Sequence, residues 1–237
     1  MFKWFKNNNE IKDISSQENS ETEKVSLQEN TEQFIDDFSK LVKDGNQTTI
    51  NRFIKFMANS VQGELISKCL YNDRNYSNYT NYILYSLVLD LPMEELPKCS
   101  CTVKVTETPI ISCIWKCESI FCNLRTIGIC NNHPFDGIAN SINITSYLIN
   151  PLGLVIVNSG NHSVNSAIVH NEGEIKPNNT IDISPVLEKY RFDGENYVDI
   201  GTNEKIYNTS LKNNSEPFTY TLGLLFEMAR VLKEKRN

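Results

Sequence analysis

LGLVIVNSGNHSVNSAIVHNEG, residues 152–173, decides the fold of this chain, because it joins an apolar run to a second periodic segment through a glycine turn. The run over residues 152–157 is rich in β-branched side chains and too short for an independent helix, so it predicts a buried strand. The spacing of the next apolar residues predicts a helix over residues 163–171, with a glycine just beyond its end. Residues 161–163 therefore lie at the N-terminus of a helix.

A helix N-terminus placed in this way favours an anionic ligand. The first amides of a helix lack intrahelical acceptors, and the helix dipole attracts negative charge. Gly160 permits close backbone approach, and Ser163 can cap the helix or bind an oxyanion. His162 can exchange protons near neutral pH. We predict a ligand site at Gly160, Asn161, His162 and Ser163; the alternative is a structural corner in which these residues cap and pack.

Catalysis at this turn would need further groups from elsewhere in the chain. His162 is the candidate acid or base, and Asp182 or Asp193 could orient it or hold a metal. Arg125 could supply a cation for a phosphate. Each aspartate also fits a turn or strand end, and the arginine fits a solvated helix surface. The sequence has no Walker-type loop, dinucleotide fingerprint, His-Glu-x-x-His pair or Gly-x-Ser-x-Gly elbow.

The strand, glycine turn, histidine and small-residue helix resemble the signature segment of ParB and sulfiredoxin-like domains, which hold a nucleotide phosphate. Gly160, His162 and Ala167 match the family's glycine, basic and small positions. Ser163 stands where that family has an arginine, and Asn161 stands where sulfiredoxins carry the reactive cysteine. The resemblance implies nucleotide binding and, for some relatives, nuclease activity. The two departures argue against tight triphosphate binding and against sulfinic-acid reduction.

A wider set of short runs resembles a bacterial family of unknown function, and this resemblance is the closer of the two. The runs are Asn140–Asn143, Pro151–Gly153, Gly160–Ser163 and Phe192–Gly194. The resemblance implies no activity. Heavy use of Asn, Ile and Lys also indicates an AT-rich bacterial or phage genome.

Length and charge limit the class of protein. The chain has 237 residues and a formal net charge of -6, so it can bury a sizeable core and does not favour non-specific binding to nucleic acid or an anionic membrane. The sequence contains no run of about twenty apolar residues, the length that is needed to span a bilayer. Its first residues also lack the apolar core of a secretory signal. We expect a cytoplasmic protein.

Apolar periodicity divides the chain into three regions. Residues 1–30 are polar and predict a flexible tail. Residues 31–95 predict a helical region, with apolar stripes over residues 34–42, 50–65 and 79–87. Residues 96–237 predict an α+β domain, for which a ParB/sulfiredoxin-like fold is one option.

Within that domain, three kinds of element are expected. Strands are predicted at residues 102–106 and 141–149, and a helix at residues 112–127. Asp193-Gly194 suits the type I′ turn of a hairpin. A helix from Pro217 presents an apolar stripe that ends at Leu232. The fold class is α+β: a small mixed sheet covered by helices, with an N-terminal helical layer and a C-terminal helix.

Six of the seven cysteines fall within about thirty residues, and His133 follows them. They are Cys99, Cys101, Cys113, Cys117, Cys122 and Cys130. The spacing lacks paired Cys-x2-Cys knuckles, and on a helix over residues 112–127 Cys122 would point about 140° away from Cys117. The sequence therefore predicts no specific metal ligand here. The alternatives are packed free thiols, a zinc site and a redox role.

The leading functional hypothesis is binding of a phosphate-bearing or other anionic small ligand, such as a nucleotide, at the Gly160–Ser163 turn. The first alternative is a non-enzymatic module that binds a protein partner through residues 1–92. A third is a ParB-like nuclease, against which the acidic balance argues. The sequence specifies neither a cofactor nor a catalysed reaction.

Overall fold

Seven α-helices and three small sheets form the part of the chain that the computed structural model describes, residues 15–71, 79–139, 142–206 and 218–236. The helices are α1 (Ser15–Asp44), α2 (Gln47–Tyr71), α3 (Thr80–Val88), α4 (Cys117–Thr126), α5 (Asn161–His170), α6 (Ser184–Lys189) and α7 (Thr219–Arg236). The strands are β1 (Val103–Lys104), β2 (Ile110–Ser112), β3 (Thr145–Asn150), β4 (Leu154–Ser159), β5 (Glu174–Ile175), β6 (Asn179–Asp182), β7 (Tyr190–Phe192) and β8 (Tyr197–Asp199). The predicted α+β class is confirmed.

The main sheet has the strand order β2-β4-β3-β6. Strands β3 and β4 form an antiparallel hairpin, as their closeness in sequence allows, while β2 runs parallel to β4 and β6 runs parallel to β3. Residues 154–157 of β4 are all fully buried, because the strand lies inside the sheet with side chains packed on both faces. The other two sheets are the antiparallel pairs β1-β5 and β7-β8.

The two faces of the main sheet contribute to different cores. Leu154 and Ile156 belong to a large cluster with α1, α2, α3, α6 and α7. Val155 and Val157 point to the opposite face and join a smaller cluster that includes Val164 of α5. The alternation follows from the period of two along a strand. Helix α5 is therefore held against the face opposite the N-terminal helical layer.

The helical predictions for residues 34–87 and for the C-terminal stripe agree with α1, α2, α3 and α7. Pro217, the predicted first residue of the last helix, lies outside the described residues. Helix α1 begins at Ser15, so residues 15–30, expected to form a flexible tail, are helical. Thr31 explains part of the difference: it is buried, and its hydroxyl hydrogen-bonds the Tyr220 hydroxyl of α7 at 3.0 Å. Polar anchors of this kind leave no apolar stripe in the sequence.

The helix predicted over residues 112–127 is shorter than expected. Residues 110–112 instead form β2, whose backbone pairs with β4, and α4 begins only at Cys117. The side-chain oxygen of Gln62 also accepts the Ser112 amide, at 2.7 Å. Strand pairing thus outweighs local propensity. The strand expected at residues 102–106 forms only at Val103–Lys104.

The hairpin predicted around Asp193-Gly194 is present, but its loop is longer than a type I′ turn. Phe192 pairs with Tyr197, which leaves four residues between the strands. The Asp193 side chain accepts the amides of Glu195 and Asn196 at 2.9 and 2.7 Å. The aspartate therefore organises its own loop.

Candidate functional site

A polar cleft of about 580 Å³ lies between α4 and the first turn of α5. It opens beyond the carboxyl ends of the parallel strands β2 and β4, where ligands bind in many open sheets. Its lining residues are Trp115, Ser119, Asn123, Asn158, Ser159, Gly160, Asn161, His162 and Ser163. All four residues of the predicted turn therefore line one cleft.

Gly160 makes the turn from β4 into α5. Its φ of 79° is left-handed, and a Cβ there would lie 2.8 Å from Ile144 Cγ1 and 2.9 Å from the Asn143 carbonyl oxygen. Only glycine fits both conditions. Helix α5 then begins at Asn161, two residues earlier than predicted, and within the described part of the chain no side chain caps it. Its first amides, which have no intrahelical acceptor, are left for water or a ligand.

Asn161 holds the cleft together from within. It is 4 % exposed, and its Oδ1 accepts the Cys113 amide at 2.9 Å while its Nδ2 donates to the Asn158 carbonyl at 3.1 Å. The Ser112 hydroxyl donates to the Asn161 carbonyl oxygen at 2.7 Å. These bonds connect the start of α5 to the end of β2. The Asn161 side chain therefore helps to fix the shape of the cleft.

His162 forms one wall of the cleft and is neutral at pH 7. Burial lowers the pKa of its imidazole below the ordinary value. Its Nε2 accepts the Lys116 amide at 3.1 Å, which requires the ring proton to be on Nδ1. The Trp115 ring meets the imidazole edge to face, with 5.1 Å between ring centroids. His162 can therefore donate one hydrogen bond but supplies no positive charge at neutral pH.

Ser163 connects the two helices. Its hydroxyl accepts a hydrogen bond from Asn123 Nδ2 at 3.4 Å, and it does not cap α5. Trp115, Ser119 and Asn123 line the cleft although the sequence did not single them out for it. The helix predicted over residues 112–127 includes Trp115, whereas the residue lies in the loop before α4. Only the parallel pairing of β2 with β4 brings this loop and α4 beside α5.

The predicted cation does not reach the cleft. Arg125 is exposed near the end of α4, and its Nε donates to the Phe121 carbonyl at 3.3 Å. It is not among the lining residues, and none of those, within the described ranges, is Asp, Glu, Lys or Arg. Any anion held in this cleft would be bound by backbone amides, hydroxyls and neutral side chains.

The two predicted carboxylates are not brought to His162. Asp182 pairs with Asn150 at one end of β3, whereas Ser159 pairs with Thr145 at the other end. Five residues at about 3.4 Å each place Asp182 about 17 Å from the cleft along the sheet. Asp193 lies in the β7-β8 loop and accepts amides of that loop. The imidazole has no carboxylate to orient it among the residues that line the cleft.

The cysteines do not converge on a metal position. Cys113 follows β2 instead of sharing a helix with Cys117; it is fully buried, and burial raises the pKa of its thiol to about 12. Over residues 15–71, 79–139, 142–206 and 218–236 no three His, Cys, Asp or Glu side chains are grouped to hold a metal ion. The Cys99 and Cys101 sulfurs do lie close together, 3.1 Å apart.

The fold and cleft define an α+β protein with a neutral polar cleft at the carboxyl ends of two parallel strands. The chain belongs to a family of unknown function (DUF6710), whose family model matches residues 11–237. This agrees with the family of unknown function expected from the sequence. Neither a curated protein nor a solved structure matches the chain. In the part of the chain that is described, no helix is long and apolar enough to cross a membrane.

Proposed function

We propose that the cleft binds a small molecule that carries one phosphate or carboxylate group and a planar ring. The observation that carries this proposal is the uncapped start of α5 at the wall of the cleft, directly beside Trp115 and His162. Backbone amides at a helix start suit the anionic group. Trp115, whose side chain is 45 % exposed, offers the face on which a ring can stack.

The neutral lining of the cleft limits the charge of the ligand. A helix dipole contributes roughly 0.3–1 kcal/mol to binding an anion at a partly exposed site. No basic side chain among the described lining residues adds to it. Each further negative charge on the ligand would therefore lose hydration without gaining a partner. A monophosphate or carboxylate fits this cleft better than a triphosphate.

A nucleotide is the ligand class that we favour. Stacking of a base on an aromatic side chain contributes about 1–3 kcal/mol, which would compensate for the missing cation. The resemblance of residues 152–173 to ParB and sulfiredoxin-like domains supports the same class. We restrict the proposal to binding, because His162 lacks a carboxylate partner among the lining residues. A nuclease reaction has no additional support from the site.

The alternative, an interaction module acting through residues 1–92, has less support. The apolar stripes of α1, α2 and α3 are used in the core: Phe38, Ile54 and Leu87 are at most 2 % exposed. Among the described residues of this region, exposed side chains such as Phe56, which is 66 % exposed, are left for a partner to contact. Single exposed apolar residues of this kind are common on protein surfaces.

Calorimetric titration of the full chain with inorganic phosphate, adenosine, AMP and ATP tests the proposal. We expect AMP to bind more tightly than phosphate or adenosine, and ATP to bind no more tightly than AMP. Ser119→Glu places a negative charge at the wall of the cleft and should weaken AMP binding by about tenfold or more. Cys122→Glu adds the same charge to an exposed position of α4 outside the cleft and should leave binding unchanged.

Trp115→Ala separates the two parts of the proposed ligand. It should weaken AMP binding by about tenfold while leaving phosphate binding within about twofold, because only the stacked ring is lost. Phe121→Ala removes an exposed aromatic side chain from α4 and is the matched control. The site assignment fails if AMP binds Ser119→Glu and His162→Ala with wild-type affinity. The proposal fails altogether if none of the four compounds binds.

A further inference from the structure

The Cys99-Ser-Cys101 segment forms a corner between two sheets. Before it, the chain runs along the outer edge of β6: the Cys99 amide donates to the Asn178 carbonyl at 3.0 Å, and the Thr180 amide donates to the Pro97 carbonyl at 2.9 Å. After it, the chain enters β1 at Val103. Backbone hydrogen bonds therefore hold Cys99 in place.

The two thiols meet at this corner. Their Sγ atoms are 3.1 Å apart, and a disulfide bond is about 2.05 Å long, so oxidation requires an approach of about 1 Å. Cys99 is 7 % exposed, whereas Cys101 is exposed. One sulfur is thus accessible to a reagent and the other is placed directly behind it.

The local charges favour a thiolate on the inner sulfur. Burial raises the pKa of Cys99, but hydrogen bonds from the Cys101 thiol, the Cys101 backbone and the Thr180 side chain, together with the charge of Lys176, outweigh burial and hold the pKa below its ordinary value. Burial and the neighbouring Cys99 raise the pKa of Cys101. In this pair, Cys99 therefore loses its proton before Cys101 does.

We propose that Cys99 and Cys101 form a redox-active dithiol, which a small-molecule disulfide of the glutathione class oxidises to an intramolecular disulfide. The proton of the Cys101 thiol passes to the adjacent Cys99 sulfur, 3.1 Å away. The Cys101 thiolate so formed attacks one sulfur of oxidised glutathione, which breaks that S–S bond and releases one glutathione thiolate, and this thiolate takes the proton from Cys99. The Cys99 thiolate then attacks the Cys101 sulfur, forms the Cys99–Cys101 bond and releases the second glutathione thiolate. The protein loses two electrons and two protons; glutathione disulfide gains the electrons and the released thiolates take up the protons.

This site is separate from the cleft at α5. The Cys99 backbone is bonded next to β6, at one edge of the main sheet, whereas the cleft lies beyond β2 and β4. A redox role of the two thiols therefore does not depend on ligand binding in the cleft. Closing the ring would join the segment along β6 more rigidly to β1.

Tryptic mapping of the full native chain after incubation with oxidised glutathione tests the dithiol. Cleavage after Lys98 and Lys104 releases residues 99–104, a peptide that contains both thiols and no other cysteine. After an acid quench and alkylation of free thiols, we expect this peptide to be lighter than the reduced peptide by two hydrogens and to carry neither glutathione nor alkyl groups.

Residues 117–125 provide the matched control in the same digest. This peptide contains Cys117 and Cys122, which lie five positions apart on α4 and so point about 140° away from each other. It should acquire glutathione without an internal disulfide. If residues 99–104 likewise carry only glutathione, or remain fully alkylated at an excess of oxidised glutathione, the proposal is overturned.

Single variants assign the two roles. In Cys99→Ser the exposed Cys101 should keep a stable glutathione adduct, because the attacking sulfur is gone. In Cys101→Ser the shielded Cys99 should react at least roughly tenfold more slowly than Cys101 does in Cys99→Ser. Equal rates in the two variants would contradict the assignment of Cys101 as the entry point.

Discussion

The two strand-to-helix junctions at opposite ends of the main sheet differ in how the helix start is satisfied. At the β6-α6 junction, Asp182 accepts the Ser184 amide at 2.9 Å, so the chain's own carboxylate occupies the positive end of the helix. At the β4-α5 junction no side chain among the described residues accepts an amide of the first helical turn, and that turn faces a cleft. An aspartate near a helix start therefore closes that junction to anions, whereas a glycine turn leaves it open.

Gly160→Ala should have the largest effect on the open junction. The new Cβ would meet Ile144 and the Asn143 carbonyl, and the left-handed backbone disfavours alanine, so we expect the free energy of unfolding to fall by about 2–4 kcal/mol. Urea denaturation measures the change. In Gly63→Ala, a helical position with no atom within 4 Å of the added Cβ, the free energy should rise by up to about 1 kcal/mol. Equal effects of the two substitutions would refute the account of the turn.

Asn161→Ala should have the next largest effect on the free energy of unfolding. It leaves the buried Cys113 amide without its acceptor, at a cost of about 1–3 kcal/mol in the free energy of unfolding. Asn158 is an exposed residue near the end of β4, and its backbone carbonyl, not its side chain, accepts the hydrogen bond from Asn161. Asn158→Ala should therefore change the free energy of unfolding by less than about 0.5 kcal/mol. Urea denaturation of both variants decides this, and a smaller loss for Asn161→Ala than for Asn158→Ala would contradict it.

Asp182→Ala tests the closed junction. Loss of the bond to the Ser184 amide should lower the free energy of unfolding by about 0.5–1 kcal/mol. Asp182→Asn keeps an acceptor oxygen and should lose less. Neither variant should alter AMP binding in calorimetry, because the residue lies about 17 Å from the cleft. A change in AMP affinity would show that Asp182 contributes to the binding site.

The smallest expected effect is the pH dependence contributed by His162. Its folded-state pKa lies below that of the unfolded chain, so the unfolded state binds more protons as the pH falls below about 6.5. The stabilisation is therefore present at pH 7.5 and is lost progressively on acidification. We expect the difference in unfolding free energy between pH 7.5 and pH 5.5 to be smaller in His162→Gln than in wild type. An equal difference would show that the imidazole is not shielded.

Much of the fold could be predicted from the sequence, because its elements have strong local signals. The apolar stripes of α2 and α7 have the helical period, and the β-branched run of β4 is too short for a helix. The glycine turn placed Gly160, Asn161, His162 and Ser163 together because they are contiguous. The sequence did not predict which distant residues come together. Arg125, Asp182 and Asp193 make hydrogen bonds within their own helix, junction and loop.

By itself, the sequence determined the strand, the turn and the helix start that form one wall of the cleft, since these depend on periodicity and on one left-handed glycine. Only the tertiary structure decided what stands opposite that wall. The parallel pairing of β2 with β4 places Trp115 and α4 beside α5. It also buries Asn161, whose side chain accepts the Cys113 amide. Contacts between residues 46 to 49 positions apart depend on the packing of the whole core, and no local pattern records them.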